Sequence, residues 1–255
     1  MLSTGAVINS HQNQLLWALP PTERERLGLR LELVTVSLGE VLCESNQPIR
    51  WAYFLADSIV SLLYTMVNGD TAEIALVGND GIVGTAIFLG ADRAYSRAVV
   101  AVAGQSFRIP AMVLLEEFER SAVLQYVLLR YTHALITQVS QTAVCNRLHS
   151  TEQRLCRHLL MCHDRTASSE LLMTQELLAH MLGGRRESVT VAAGHLQDLG
   201  LIHYSRGRIT ILNRSGLEAS ACECYRAVES QLARPPGPRQ MVQFTRAPAP
   251  FEQAG

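Results

Sequence analysis

The sequence predicts an α+β chain in three parts: an N-terminal antiparallel β-roll of jelly-roll type, a long helix, and a C-terminal unit of short helices closed by a β-hairpin. Three observations predict it. Between residues 31 and 110, short β-rich runs alternate with turn signals. From Ala111 to Leu182 there is no Gly or Pro, although the chain holds 17 Gly and 9 Pro, so that stretch is expected to run in helices. After Leu182 come Gly183-Gly184, a second helical pattern, and two short strand-like runs about Arg206-Gly207.

Residues 14–30 read as short helices, with Pro20-Pro21 between them and Thr22 placed to cap the second. Strands are expected at 33–36, 52–55, 59–64, 72–77, 98–102 and 107–109, with turns at Asn68-Gly69-Asp70 and Asn79-Asp80-Gly81. Strands this short, evenly spaced, close into a roll or barrel. Asp70, Glu73 and Asp80 lie near turns, where carboxylates are expected to be solvated. In the long helix, Leu124, Leu128, Tyr131, Leu135, Gln138, Thr142 and Cys145 recur at spacings of four and three, which makes one heptad-like seam. A narrow seam needs a partner, either the chain's own barrel or a second copy of the helix. The partner expected here is a second copy of the same helix, with Leu124 through Thr142 as the dimerisation face.

Bulk properties narrow the function. The 255 residues are 48% hydrophobic, enough for a sizeable core. No apolar run approaches the roughly 20 residues that span a bilayer, and Met1 to Gln14 has no signal-peptide pattern, so the expected compartment is the cytoplasm with no membrane partner. There the six cysteines (Cys43, Cys145, Cys156, Cys162, Cys222, Cys224) are expected as reduced thiols. None forms a CxxC pair or a zinc spacing, so no metal site and no cofactor are expected. Net charge is −1, but it is uneven: residues 1–146 carry 9 Arg against 13 acids (−4), residues 147–226 carry 10 against 8 (+2), and the remainder 3 against 2 (+1). The chain has no Lys. No nucleophile–base pair, metal spacing or Gly-rich phosphate loop opening a helix is present, so an enzyme is not expected.

The informative segment is Met173 to Ile202. Thr174 can cap a helix whose inner side is Leu177, Leu178 and Met181, and Gly183-Gly184 ends it with a tight turn. The next helix places Val189, Ala193, Leu196 and Leu199 on one face. Its other face opens with Arg185, Arg186, Glu187, Ser188 and Thr190. Polar groups gathered at the start of the second helix are what a recognition helix presents to the major groove. Arg186 can fork onto O6 and N7 of guanine, and Glu187 can accept from N4 of cytosine. Arg185, Ser188 and Thr190 suit phosphates or neighbouring base edges, and Thr174 belongs to the same surface. His203-Tyr204-Ser205 and Arg208 to Leu212, joined by Arg206-Gly207, form a wing from which Arg206 and Arg208 can reach phosphate. The parts therefore read as a β-roll over 14–120, a dimerisation helix over 121–148, a winged helix-turn-helix over 149–226, and a Pro-rich disordered tail over 227–255.

This layout resembles the Crp/Fnr family of bacterial transcription regulators, over roughly residues 14–226 and most closely over 173–212. The resemblance implies a homodimer that reads an inverted repeat in double-stranded DNA, with RNA polymerase as a partner if it activates. Arg186 and Glu187 sit where the family places base-reading residues, and a further Arg common four residues after that Glu is Val191 here. Leu38-Gly39-Glu40 and Gly81 to Gly90 look like the glycine turn and phosphate cassette of the family's cyclic-nucleotide-binding roll. That places a candidate effector pocket at Gly84, Thr85, Ser96 and Arg97. The acidic ribose ligand of cyclic-nucleotide binders is replaced by Thr85, and Arg97 is displaced by one residue, which turns a strand side chain to the other face. An effector other than a cyclic nucleotide is expected; the alternative is a regulator or ligand-binding module responsive to cyclic AMP or cyclic GMP. The N-terminal cysteine cluster of the family's iron–sulphur branch is missing, since Cys43 stands alone. His133 and His149 are the haem-ligand candidates near the long helix and read as structural; Cys222-Glu223-Cys224 is a candidate for thiol sensing.

Overall fold

The computed structural model describes residues 12–166 and 168–232. The chain enters through α1 (Gln14–Trp17) and α2 (Pro21–Gly28). Asn13 caps α1 through its side-chain oxygen, and its amide nitrogen donates to the carbonyls of Leu55 and Gly81, which pins the entry segment to the roll.

The roll comprises β1 (Glu32–Val36), β2 (Val41–Cys43), β3 (Trp51–Leu55), β4 (Ile59–Thr65), β5 (Thr71–Val77), β6 (Ile82–Val83), a 3-10 turn at Thr85–Leu89, β7 (Arg97–Val102) and β8 (Gly104–Pro110). They form two antiparallel four-stranded sheets, in the orders β1-β8-β3-β6 and β2-β7-β4-β5. Phe54, Phe107, Ile109, Val60 and Val77 meet between the sheets. The expected strands are all present. β2 and β6 were not foreseen, because both are too short to show a period-two pattern.

Two helices then close the roll, α3 (Ala111–Arg120) and α4 (Ala122–Leu148), with Ser121 capping α4. Here the structure corrects an expectation. Leu124, Leu128, Tyr131 and Leu135 lie in the same core as Phe54 and Phe107. Gln138 donates to the Leu76 carbonyl at 3.1 Å, and Thr142 bonds back to the Gln138 carbonyl. The predicted dimer seam therefore faces the chain's own roll. A spacing of four and three identifies the buried stripe of a helix but not what buries it. The apolar residues of α4 turned outward are Leu129, Ile136, Val144 and Leu148.

The last unit comprises α5 (Thr151–His163), β9 (Glu170–Leu172), α6 (Gln175–Leu182), α7 (Arg186–Asp198), β10 (Ile202–Ser205), β11 (Arg208–Ile211), α8 (Arg214–Ser220) and α9 (Cys224–Leu232). Ser150 and Gln153 form a capping box at α5. β9 interrupts the stretch expected to be helical and adds a third strand to the wing, in the order β10-β11-β9. The predicted tail also begins too early: Ala227 to Leu232 belong to α9, and the rest of it lies outside the described residues.

This unit is docked on the roll. Ile59, Leu76 and Ala101 of the roll share one core with Leu155, Leu159, Leu178, Val189 and Leu196. Two buried ion pairs cross the same junction. His158 Nδ1 lies 3.4 Å from Glu73 Oε1, and Ser61 donates to the other Glu73 oxygen at 2.6 Å. Arg165 pairs with Asp80 at 2.6 Å and runs so close to Gly78 that a Cβ there would stand 2.5 Å from its Cδ. Glu73 and Asp80 are thus structural ion-pair partners and not solvated turn carboxylates; only Asp70 stays on the exposed hairpin. Burial opposes charge on His158, but Cys162 and Glu73 outweigh it and push its pKa up to about 10. Among the described residues no helix is long and apolar enough to cross a membrane.

Candidate nucleic-acid interface

Helix α6 begins at Thr174, whose side chain accepts from Leu177 N at 3.1 Å, and ends at Gly183 with φ +56. Only a residue without a side chain adopts that backbone cheaply. Arg154 of α5 donates to the Leu182 carbonyl at 2.8 Å and supports the same turn from below. The chain then re-enters helix at Arg185, the residue that precedes α7. Val189, Ala192, Ala193 and Leu196 hold α7 to the core. Leu199, expected inward, ends the helix half exposed, because the chain turns away there toward Gly200.

The outer face of α7 is uncovered. Arg185, Arg186, Glu187, Ser188, Thr190 and Val191 are all exposed, Val191 by 73%. Among the described residues no carboxylate pairs with Arg185, Arg186 or Arg206. Thr190 donates its hydroxyl proton to the Arg186 carbonyl at 2.9 Å, so outward it can accept but not donate. Of the two contacts expected of it, that suits a base edge carrying an amino group better than a phosphate. Thr174, as a cap acceptor, keeps its own proton to donate.

The wing turns through Arg206 and Gly207, with φ +50 and +76. Two successive positive φ values are what a tight hairpin of the primed type requires. Arg206 is therefore held in a conformation that costs a non-glycine residue about 1–3 kcal/mol, at the tip of the wing. Arg208 is exposed but lies against Glu170 of β9 at 2.5 Å, so its charge is partly answered within the chain. β9 was not foreseen, and neither was this partner.

Residues 153–220 match the family of Crp-like helix-turn-helix domains. A global nitrogen regulator of Synechococcus elongatus is 22% identical over 213 residues, covering 80% of this chain and 95% of that protein. The matched stretch is a helix-turn-helix domain of the Crp-like kind, and the chain as a whole is similar to transcription regulators of the Crp/Fnr type. Solved structures carry the same fold. FixK2 of Bradyrhizobium japonicum superposes with a TM-score of 0.65 at 14% identity, covering 75% of this chain and 98% of that one. A Crp/Fnr-family transcriptional regulator of Thermus thermophilus gives 0.58 at 22% identity, covering 74% and 98%.

The roll brings three of the four candidate effector residues together. Gly84, Thr85 and Ser96 line a cavity of about 30 Å³ with Trp51, Leu62 and Tyr95. That is room for about one water, against the several hundred Å³ of a small-molecule pocket. Arg97 does not line it; its side chain is turned outward and pairs with Glu44 at 3.1 Å. The one-residue displacement has the consequence that strand alternation dictates.

The structure also gathers residues that lie scattered in the sequence. Cys145, His149, Cys222 and Cys224 bring their ligand atoms within 4.8 Å of one another, against the expectation of no metal-binding group. The signal was present as Cys-x3-His at the end of one helix and Cys-x-Cys at the start of another, some 70 residues apart in the chain. His133 lies on the exposed face of α4 instead.

Proposed function

We propose that the protein is a homodimer that reads an inverted repeat in duplex DNA, one half-site per protomer, by inserting the start of α7 into the major groove. The observation that carries this reading is the uncovered row Arg185 to Val191, in which Arg186 has no internal carboxylate to satisfy it among the described residues. Arg186 forks onto a guanine and Glu187 accepts from a cytosine amino group. Val191 offers a methyl-bearing surface at the position where relatives with an Arg would read a further base, and it suits a thymine methyl. Arg185, Ser188, Thr174 and Arg206 position the helix on phosphates, with Arg208 contributing in competition with Glu170. The two copies join along Leu129, Ile136, Val144 and Leu148, so that the half-sites fall about one helical turn, roughly 34 Å, apart.

The cavity at Thr85 and the outward Arg97 favour an effector other than a cyclic nucleotide. RNA polymerase is the further partner if the regulator activates. Competition binding at fixed salt tests the base-reading role. Arg186→Ala is expected to weaken binding to the specific duplex by about 1–3 kcal/mol and to relax preference at one base pair. Equal loss on specific and random DNA contradicts it. Calorimetry with cyclic AMP and cyclic GMP is expected to register no binding; saturable binding would favour the cyclic-nucleotide alternative.

A further inference from the structure

Cys145 lies in the last turn of α4, and His149 lies four positions on, at the residue that ends the helix, so both face one side. Cys222 and Cys224 flank the turn into α9. Cys145 Sγ is 3.5 Å from Cys222 Sγ, and Cys224 Sγ is 3.6 Å from His149 Nδ1. Zinc bonds of about 2.3 Å to sulphur and 2.0–2.1 Å to nitrogen imply tetrahedral edges of about 3.4–3.8 Å. Two of the six separations therefore already match the edges of one tetrahedral ion, and all four ligand atoms lie within 4.8 Å of one another.

Three further observations point the same way. The thiols are almost wholly buried, with Cys145 at 0%, Cys222 at 4% and Cys224 at 1% exposure, in a small cluster of their own. Glu223 Oε2 lies 3.4 Å from His149 Nε2, so the second ring nitrogen has the carboxylate partner that fixes a ligating imidazole. Arg157 is 7% exposed, its Nε has no hydrogen-bond partner among the described residues, and its charge acts on Cys145 and Cys224. A buried guanidinium needs a countercharge. A divalent ion with three thiolates and a neutral imidazole carries −1, which balances it.

We propose that Cys145, His149, Cys222 and Cys224 form a closed tetrahedral site for a single thiophilic divalent cation of the zinc class. Thiolate ligands disfavour magnesium and calcium, and four protein ligands leave no open position for catalysis. The close mutual spacing suits one ion better than a polynuclear cluster, whose ligands are spread around several metal atoms. The three sulphurs bind as thiolates, so the thiol protons they carry are released to solvent on binding. The bound ion ties the start of α9 to the end of α4, beside the joint at His149-Ser150 from which the winged unit departs.

Titration of the reduced, chelator-stripped full chain with Co2+ tests the site without DNA, so its outcome is independent of the DNA-binding reading. Saturation at one equivalent is expected, with a thiolate-to-cobalt charge-transfer band and the intense d–d bands of a tetrahedral ion, both abolished by added Zn2+. Weak octahedral absorption, or no saturation, overturns the proposal. So does a reduced chain that binds no cobalt and instead closes a Cys145–Cys222 disulfide in air. In Cys224→Ser the charge-transfer band is expected to fall by about a third, as one of three thiolate ligands is lost. Cys43→Ser, outside the cluster, is expected to leave the spectrum unchanged. An unaltered spectrum in a folded Cys224→Ser overturns the assignment, and the wild-type titration decides the matter if that variant does not fold.

Discussion

Arg206 separates two demands that a wing tip makes of one residue. Its positive φ is a backbone cost that Asn bears more easily, and its charge is the part that meets phosphate. Arg206→Asn is therefore expected to keep or raise thermal stability while reducing the salt slope of DNA binding by about 1. An unchanged slope at lower stability would contradict the phosphate contact. The neighbouring residues on α7 were legible in the sequence because Gly183-Gly184 marks the turn and fixes where the second helix starts. The candidate metal-binding cluster was not, because its halves lie far apart in the chain and neither Cys-x3-His nor Cys-x-Cys is distinctive alone. Arg97 was legible as a departure from the cyclic-nucleotide pattern, and its outward pairing with Glu44 is the physical form of that departure.

Helix α4 shows what periodicity can and cannot specify. Spacing identifies its buried stripe residue by residue, yet points to the wrong neighbour. Leu128 is fully buried in the roll core, whereas Ile136 is 60% exposed on the opposite side. Leu128→Ala is expected to cost about 2–5 kcal/mol of folding stability, measured by denaturant unfolding. Ile136→Glu is expected to leave folding intact and shift the chain from dimer to monomer in sedimentation. If Ile136→Glu remains dimeric, the proposed seam lies elsewhere. β9 was invisible for a related reason. Three residues carry no periodicity, and the strand exists because β11 offers it an unpaired edge.

Across the whole molecule, the roll and the winged unit behave as parts of one body joined by buried charge. Asp80 and Glu73 look like surface turn residues in the sequence, which does not reveal that Arg165 and His158 arrive from α5 and its end to meet them. The His158 pKa is raised above its ordinary 6.5 to about 10. Its pairing thus contributes fully below pH about 6.5 and is lost as pH rises through about 10. The stability gap between wild type and His158→Gln is expected to narrow over that window in thermal denaturation; a constant gap would contradict the pairing. The joint matters to the proposed reading because this docking, together with the proposed seam on α4, would set where the two recognition helices stand.

Selection of random duplex DNA by the purified protein, at stated salt and without added ligand, with sequencing of the bound pool, tests the proposed reading most directly. The expected result is an enriched inverted repeat with half-site centres about 10 base pairs apart, whose guanine preference disappears in Arg186→Ala. A pool with no enriched repeat from a folded, dimeric protein, or one whose preferences survive Arg186→Ala unchanged, would contradict recognition through the start of α7.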